Sequence, residues 1–229
     1  MYIPMDSEDF FTDEREAMVE RQLRRRDITD ERVLEAIGCV PRHLFVLPEQ
    51  RKLAYMDGPL PILLGQTISQ PYIVGFMTQA LHLAGSEKVL EVGTGSGYQA
   101  AVLSCLARQV YTIERHAELA QGAASLLSRL GYANVSVHTG DGSLGLPEFA
   151  PFDAILVTAA APRTPRPLLD QLTPQGRLVI PVGARGAQNI QIWQHGAAGW
   201  EYEAVLPVAF VPLLGQEGWK EPDEFFTFG

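Results

Sequence analysis

Apolar positions along this chain alternate between two spacings. Val33, Ala36, Ile37 and Val40 fall at i, i+3, i+4 and i+7, one face of a helix that Thr29 or Asp30 caps and Pro41 stops. Upstream, residues 1–12 read as a loose arm. Asp13 with Glu16 three positions later has the form of a capping box and opens a charged helix to about Arg26. Residues 53–70 read as loop. Pro71 then begins a helix whose apolar face is Ile73, Phe76, Met77, Ala80, Leu81 and Ala84, with Gly85 ending it. From residue 89 onward the pattern changes to short β-branched and apolar runs at 89–92, 110–113, 135–138, 153–157 and 177–182. Helical runs separate them at 100–107, 116–130 and about 168–172. Two further strand-like runs, near 190–194 and 202–211, follow without a helix between them. Helix-separated strands followed by a strand-rich end predict an α/β fold. Its form is a doubly wound, mostly parallel, Rossmann-like sheet with a late antiparallel part and an N-terminal helical segment.

The centre of the pattern is Val89-Leu90-Glu91-Val92-Gly93-Thr94-Gly95-Ser96-Gly97-Tyr98. A buried strand meets glycines at every second position and then a helix start, a turn where backbone approaches a ligand closely. Such turns sit at the carboxyl ends of strands, where open α/β sheets bind their ligands. The next strand ends in Glu114, 21 positions after Gly93, the spacing at which an acid takes ribose hydroxyls. The stretch predicts a nucleoside-bearing cofactor. The dinucleotide fingerprint G-x-G-x-x-G is not met, because the third glycine comes one position early and Tyr98 stands in its place. Glu91 inside the strand suits a cofactor carrying positive charge better than one carrying pyrophosphate.

Composition narrows the classes. A length of 229 residues allows one large domain. A net charge of −9 and a pI near 5.0 argue against nucleic-acid binding. Cys39 and Cys105 form no C-x-x-C, so a disulfide framework is not expected and a reducing compartment is. The acidic start does not read as a signal peptide, and no uncharged apolar run approaches a membrane span. The scattered histidines have no metal spacing. His43 reads as structural or surface, and Arg24-Arg25-Arg26 as a solvated helix end.

Two further segments carry candidate chemistry. Gly65-Gln66-Thr67-Ile68-Ser69-Gln70 lies directly before a helix N-terminus, which offers free N–H groups to an anion. Ser69 there is either a helix cap or a ligand-facing hydroxyl. Thr139-Gly140-Asp141-Gly142 closes the third strand, and Asp141 between glycines suits either a plain turn or an adenine amino group.

Several stretches taken in order resemble the protein-L-isoaspartate O-methyltransferases. They are Val40-Pro41-Arg42-His43-Leu44-Phe45-Val46; Tyr55-Met56-Asp57 with Pro59-Leu60-Pro61-Ile62; Gly65-Gln66-Thr67-Ile68-Ser69; the glycine turn; Gly140-Asp141-Gly142; residues 151–155 through Ala159-Ala160-Ala161-Pro162; Leu172-Thr173-Pro174-Gln175-Gly176-Arg177-Leu178; and Phe210-Val211-Pro212-Leu213. The Gly-Gln-Thr-Ile-Ser segment is the most specific of these. Gln175, where the family often has Gly, is a mild departure in a turn.

The resemblance implies an S-adenosylmethionine-dependent enzyme that methylates the free α-carboxylate of L-isoaspartyl residues in aged proteins. The ester then leads through a succinimide to aspartate. It also implies a cytoplasmic monomer that needs no metal, binds no nucleic acid and touches no membrane. Ser69 would orient the acceptor, with Thr67 beside it. Gly93, Gly95 and Gly97 would let backbone approach the cofactor, Glu91 would sit near its amino-acid end, and Glu114 would take the ribose. Asp141 and Gly142 would hold the adenine, and Ile68, Arg115 and Gly140 complete the cofactor set. In this layout residues 1–16 are the arm, 17–84 the helical and acceptor-loop region, 85–215 the cofactor-binding core and 216–229 a tail. Other classes compatible with the glycine turn are a methyltransferase for a free small acid, a nicotinamide oxidoreductase and a non-catalytic binding module.

Overall fold

Seven strands form the central sheet of the computed structural model, which describes residues 8–220 other than 198. The remainder of the expected arm and tail, residues 1–7 and 221–229, lies outside the described residues. The sheet strands are β3 (Lys88–Val92), β4 (Gln109–Glu114), β5 (Val135–Thr139), β6 (Phe152–Val157), β7 (Leu172–Ala184), β8 (Ala187–Gly196) and β9 (Gly199–Val208). Their order is β5-β4-β3-β6-β7-β8-β9. Pairing is parallel from β5 through β7 and antiparallel among β7, β8 and β9. This is the predicted doubly wound sheet with its late antiparallel part. The chain runs outward from β3 to β5, then returns to the other side of β3. The resulting switch of direction leaves a crevice at the carboxyl ends of β3, β4 and β6, where ligands bind.

Period-two burial explains the central strands. Val89 packs with Ala154, Leu156 and Val179 on one face, while Leu90 and Val92 pack with Ile155, Val157 and Leu178 on the other. Helices cover the first face: α4 (Tyr98–Ser104) and α5 (Ala117–Arg129) after the first two strands, with α2 (Glu31–Cys39) and α3 (Pro71–Ala80) beyond. The short α6 (Arg166–Asp170) covers the second, through Leu168 and Leu169. Burial on both faces makes these strands near-continuous apolar runs.

Three local expectations need correction. The N-terminal helix α1 runs Glu8–Met18 and continues as a π-helical segment over Val19–Arg24, so Asp13 lies inside it and caps nothing. The helix starts earlier because Phe11 is buried, stacking on the His43 ring with centroids 4.1 Å apart. Helix α3 ends at Ala80, and the chain turns at His82 (φ 53°) rather than at Gly85. Leu81 stays buried after the helix has ended, which extended the apolar spacing, whereas Ala84 is exposed. The segment 53–70 is not all loop, since β1 (Leu60–Pro61) pairs antiparallel with β2 (Thr67–Ile68). This small hairpin carries Thr67 and Ile68 over the crevice.

The structure also decides between the two caps offered for α2. The Asp30 side chain accepts the Arg32 N–H at 3.0 Å. Asp30→Ala should cost about 1 kcal/mol and lower Tm by about 2–4 °C, while Thr29→Ala should cost far less. A thermal melt in which Thr29→Ala is the more damaging change would contradict the assignment.

Candidate active site

Gly93 follows β3 in left-handed backbone (φ +100°). A Cβ there would stand 2.3 Å from Thr158 Oγ1, so glycine is required for packing as well as for conformation. Thr158, just past β6, donates its hydroxyl to the Gly93 carbonyl at 2.6 Å. Two strand ends are thereby tied across the crevice. Glu114, the last residue of β4, ties in a third element. Its carboxylate accepts the Gly95 N–H and the His116 N–H, each at 3.0 Å. A carboxylate has about four lone-pair sites, so these two bonds leave acceptor capacity free where Glu114 lines the cleft.

That cleft is partly open to solvent. Gln66 and Thr67 roof it. Gly93, Gly95, Glu114, Arg115 and Gly142 line the strand ends, and residues 211–214 close the far wall. A smaller hollow shares Thr67, Gly93, Gly95 and Thr158, and adds Ile68, Ser69, Glu91, Tyr98 and Gln99. The two spaces meet at the glycine turn.

Ser69 does not cap α3. The N-cap is Gln70, without a side-chain hydrogen bond. The Ser69 carbonyl accepts from Arg42 Nη2 at 2.8 Å. Its hydroxyl makes no hydrogen bond among the described residues, and the residue lines the smaller hollow.

Glu91 is wholly buried in β3, and neither carboxyl oxygen has a hydrogen-bond partner among the described residues. Burial pushes its pKa up to about 8, and the nearby Glu114 charge adds to the rise. The adjacent Thr112 hydroxyl pairs with Thr94 Oγ1 at 2.6 Å. Burial therefore favours the protonated, neutral form of the Glu91 carboxyl.

Not every expected residue reaches the cleft. Gly97 begins α4, where a Cβ would stand 3.3 Å from Ala123 and Leu127 of α5. It packs one helix on the other and is absent from both linings. Gly140 donates its N–H to the Glu114 carbonyl at 2.9 Å, prolonging the β4–β5 ladder. Asp141 accepts from Ser143 N–H (2.9 Å) and Ser143 Oγ (2.7 Å) on one oxygen, and from Gln216 N–H (2.7 Å) on the other. It is absent from both linings, and it ties residue 216 to the end of β5. Thr158 and the wall at 211–214 went unassigned by sequence reasoning. The Phe210-Val211-Pro212-Leu213 stretch was the available signal for the wall. Thr158 had none until β6 was known to lie beside β3.

A doubly wound sheet with a glycine turn, an acid at ribose spacing and an adjoining second hollow defines a Rossmann-like architecture suited to a nucleoside-bearing cofactor. Comparison with known proteins gives the particular family. The family described as protein-L-isoaspartate (D-aspartate) O-methyltransferase matches residues 13–218. The protein-L-isoaspartate O-methyltransferase of Synechococcus sp. (strain JA-2-3B'a(2-13)) is 56% identical over 218 residues, covering 92% of this chain and 89% of the relative. Protein-L-isoaspartate O-methyltransferase 1 of Syntrophobacter fumaroxidans is 55% identical over 210 residues, with 92% and 98% covered. Among solved structures, a protein-L-isoaspartate O-methyltransferase superposes with TM-score 0.80 at 27% identity, covering 89% of this chain and 67% of that one. The chain belongs to the protein-L-isoaspartate (D-aspartate) O-methyltransferase family.

The Glu91 environment has a measurable consequence. A carboxyl whose pKa is raised in the folded state binds more protons than the unfolded chain between its two pKa values. Its contribution to stability is present below about pH 4.5 and is lost as pH rises towards the folded pKa of about 8. Glu91→Gln should flatten the pH dependence of Tm between pH 5 and 8 in the absence of ligand. An undiminished slope in melts of both proteins would contradict a neutral Glu91.

Proposed function

We propose that this chain transfers a methyl group from S-adenosylmethionine to the free α-carboxylate of L-isoaspartyl residues in damaged proteins and peptides. The methyl ester then closes to a succinimide that reopens partly to aspartate. Family membership along residues 13–218 supports the reaction. The observation that carries it to named residues is the pair of adjoining spaces, one lined by Glu114 and the other by Ser69.

The residues present fit the cofactor. A backbone cradle that a Cβ at Gly93 would fill, a ribose-spaced acid with spare acceptor capacity and a buried, unpartnered acid are what a cationic nucleoside requires. When bound, S-adenosylmethionine supplies an electrophilic methyl group on a sulfonium. Glu114 holds the ribose hydroxyls, with Arg115 beside it. Gly93 and Gly95 admit the cofactor to the backbone, Thr67 and Ile68 cover it, and Glu91 faces its amino-acid end. Gly142 lines the adenine end. Asp141 and Gly140 act there through the backbone they fix, and Gly97 acts through the helix start it permits.

The acceptor is a carboxylate, already ionised near neutral pH. No general base is needed. The work left to the protein is orientation and exclusion of water. Ser69 donates its hydroxyl to the acceptor carboxylate and is not a nucleophile. The chain works as a single methyltransferase unit, a cytoplasmic monomer. Free Cys39 and Cys105 suit a reducing compartment.

Two peptides differing only in L-isoaspartate against L-aspartate test the reaction with labelled S-adenosylmethionine. Label should enter the isoaspartyl peptide alone, and equal labelling of both would overturn the reading. Ser69→Ala should lower turnover at least tenfold while S-adenosylhomocysteine affinity, measured by calorimetry, stays within about twofold. Equal loss of both would remove Ser69 from the acceptor side.

A further inference from the structure

Arg42 lies in the single 3-10 turn Arg42–Leu44 after α2 and is wholly buried. Buried arginines are ordinarily matched by a carboxylate. Among the described residues none is paired with this one. Its Nε donates to the Ala54 carbonyl at 2.7 Å and its Nη2 to the Ser69 carbonyl at 2.8 Å. Nη1 is buried and has no acceptor. The guanidinium carbon stands 4.8 Å from the centre of the Tyr98 ring, and Tyr98 lines the same hollow as Ser69. Burial lowers the Arg42 pKa to about 10, so the side chain is still a cation at neutral pH.

The Ser69 hydroxyl is four bonds from the carbonyl oxygen that Arg42 holds. Standard covalent dimensions therefore place the guanidinium within about 7 Å of it. Glu91 and Tyr98 are the ionisable residues that line the hollow, and burial favours the neutral form of each. The hollow thus has a buried positive charge beside it that no ion pair among the described residues balances, in a chain whose net charge is −9. Two backbone carbonyls satisfy hydrogen-bonding capacity without neutralising charge. An acceptor carboxylate in the hollow would supply the missing counter-charge, and a neutral carboxamide of the same shape would not.

We propose that Arg42 is a positioning and specificity residue: it fixes the Ser69 backbone from beneath and supplies the uncompensated charge that selects an anionic acceptor. The inference rests on the placement of the acceptor beside Ser69. Arg42 acts through space and through Ser69, without touching the reacting atoms.

The test uses the full chain loaded with S-adenosylhomocysteine. Calorimetry would compare an isoaspartyl peptide with the same peptide carrying an α-carboxamide in place of the α-carboxylate. The wild-type protein should prefer the carboxylate by at least tenfold. Arg42→Gln, which keeps a donor for the two carbonyls, should reduce that preference to about twofold or less, with cofactor affinity unchanged. Arg42→Lys should recover most of it. A wild-type preference below about twofold overturns the proposal whether or not any variant folds. So does an Arg42→Gln protein that keeps the full preference. Ser69→Ala, assayed alongside, separates the two readings. Unchanged acceptor kinetics in that variant would displace the acceptor site itself, whereas a Ser69 effect with an intact charge preference in Arg42→Gln would remove Arg42 alone.

Discussion

The two hydrogen bonds from Gly95 N–H and His116 N–H to the Glu114 carboxylate are the constraint on which the site depends. They close the turn after β3 against the end of β4, and they do so with a charged acceptor, the stronger kind of hydrogen bond. The turn so fixed is the wall common to the two hollows. Thr158 performs the matching task on the β6 side, through the Gly93 carbonyl. The glycine turn is thus held from both neighbouring strands, and its shape is set before any ligand arrives. Preorganisation of this kind lowers the cost of ordering on binding.

Charge is distributed around that turn in an unusual way. An acid with no partner, Glu91, and a base with no acid, Arg42, are both wholly buried close to the reaction space. Neither arrangement favours the folded protein alone, since a buried charge or an unpaired polar group costs free energy. Both are intelligible if ligands complete them. A cationic cofactor suits the neighbourhood of Glu91, and an anionic acceptor suits that of Arg42. Such local conflicts with stability mark functional sites.

Much of this was legible in the sequence, and the reasons are physical. The parallel strands announced themselves because burial on both faces demands continuous apolar runs, as in Val89-Leu90 and Ile155-Leu156-Val157. The glycine turn and Glu114 were legible because backbone approach and ribose binding constrain spacing along the chain. What depended on contacts between distant segments was not legible. Thr158 meets Gly93 only through the β3–β6 pairing. Asp141 reads locally as a turn residue or an adenine partner, and its bond from the Gln216 N–H, 75 residues away, lies outside any local pattern. Arg42 belongs to the Val40–Val46 stretch, but its significance is its burial against the Ser69 carbonyl, which no local pattern reveals. The helix end expected at Gly85 differs because Leu81, buried just outside the helix, imitates helical spacing, and the start expected at Asp13 differs because Phe11 upstream of it is buried.

Calorimetric binding of S-adenosylhomocysteine to the wild-type protein and to Glu114→Ala tests the central claim most directly, with melts to show that both are folded. The account predicts affinity weaker by more than about tenfold, corresponding to ~1.4 kcal/mol, the scale of one charged hydrogen bond. Affinity within twofold of wild type in a folded variant would show that the cofactor does not depend on Glu114 or on the turn it holds.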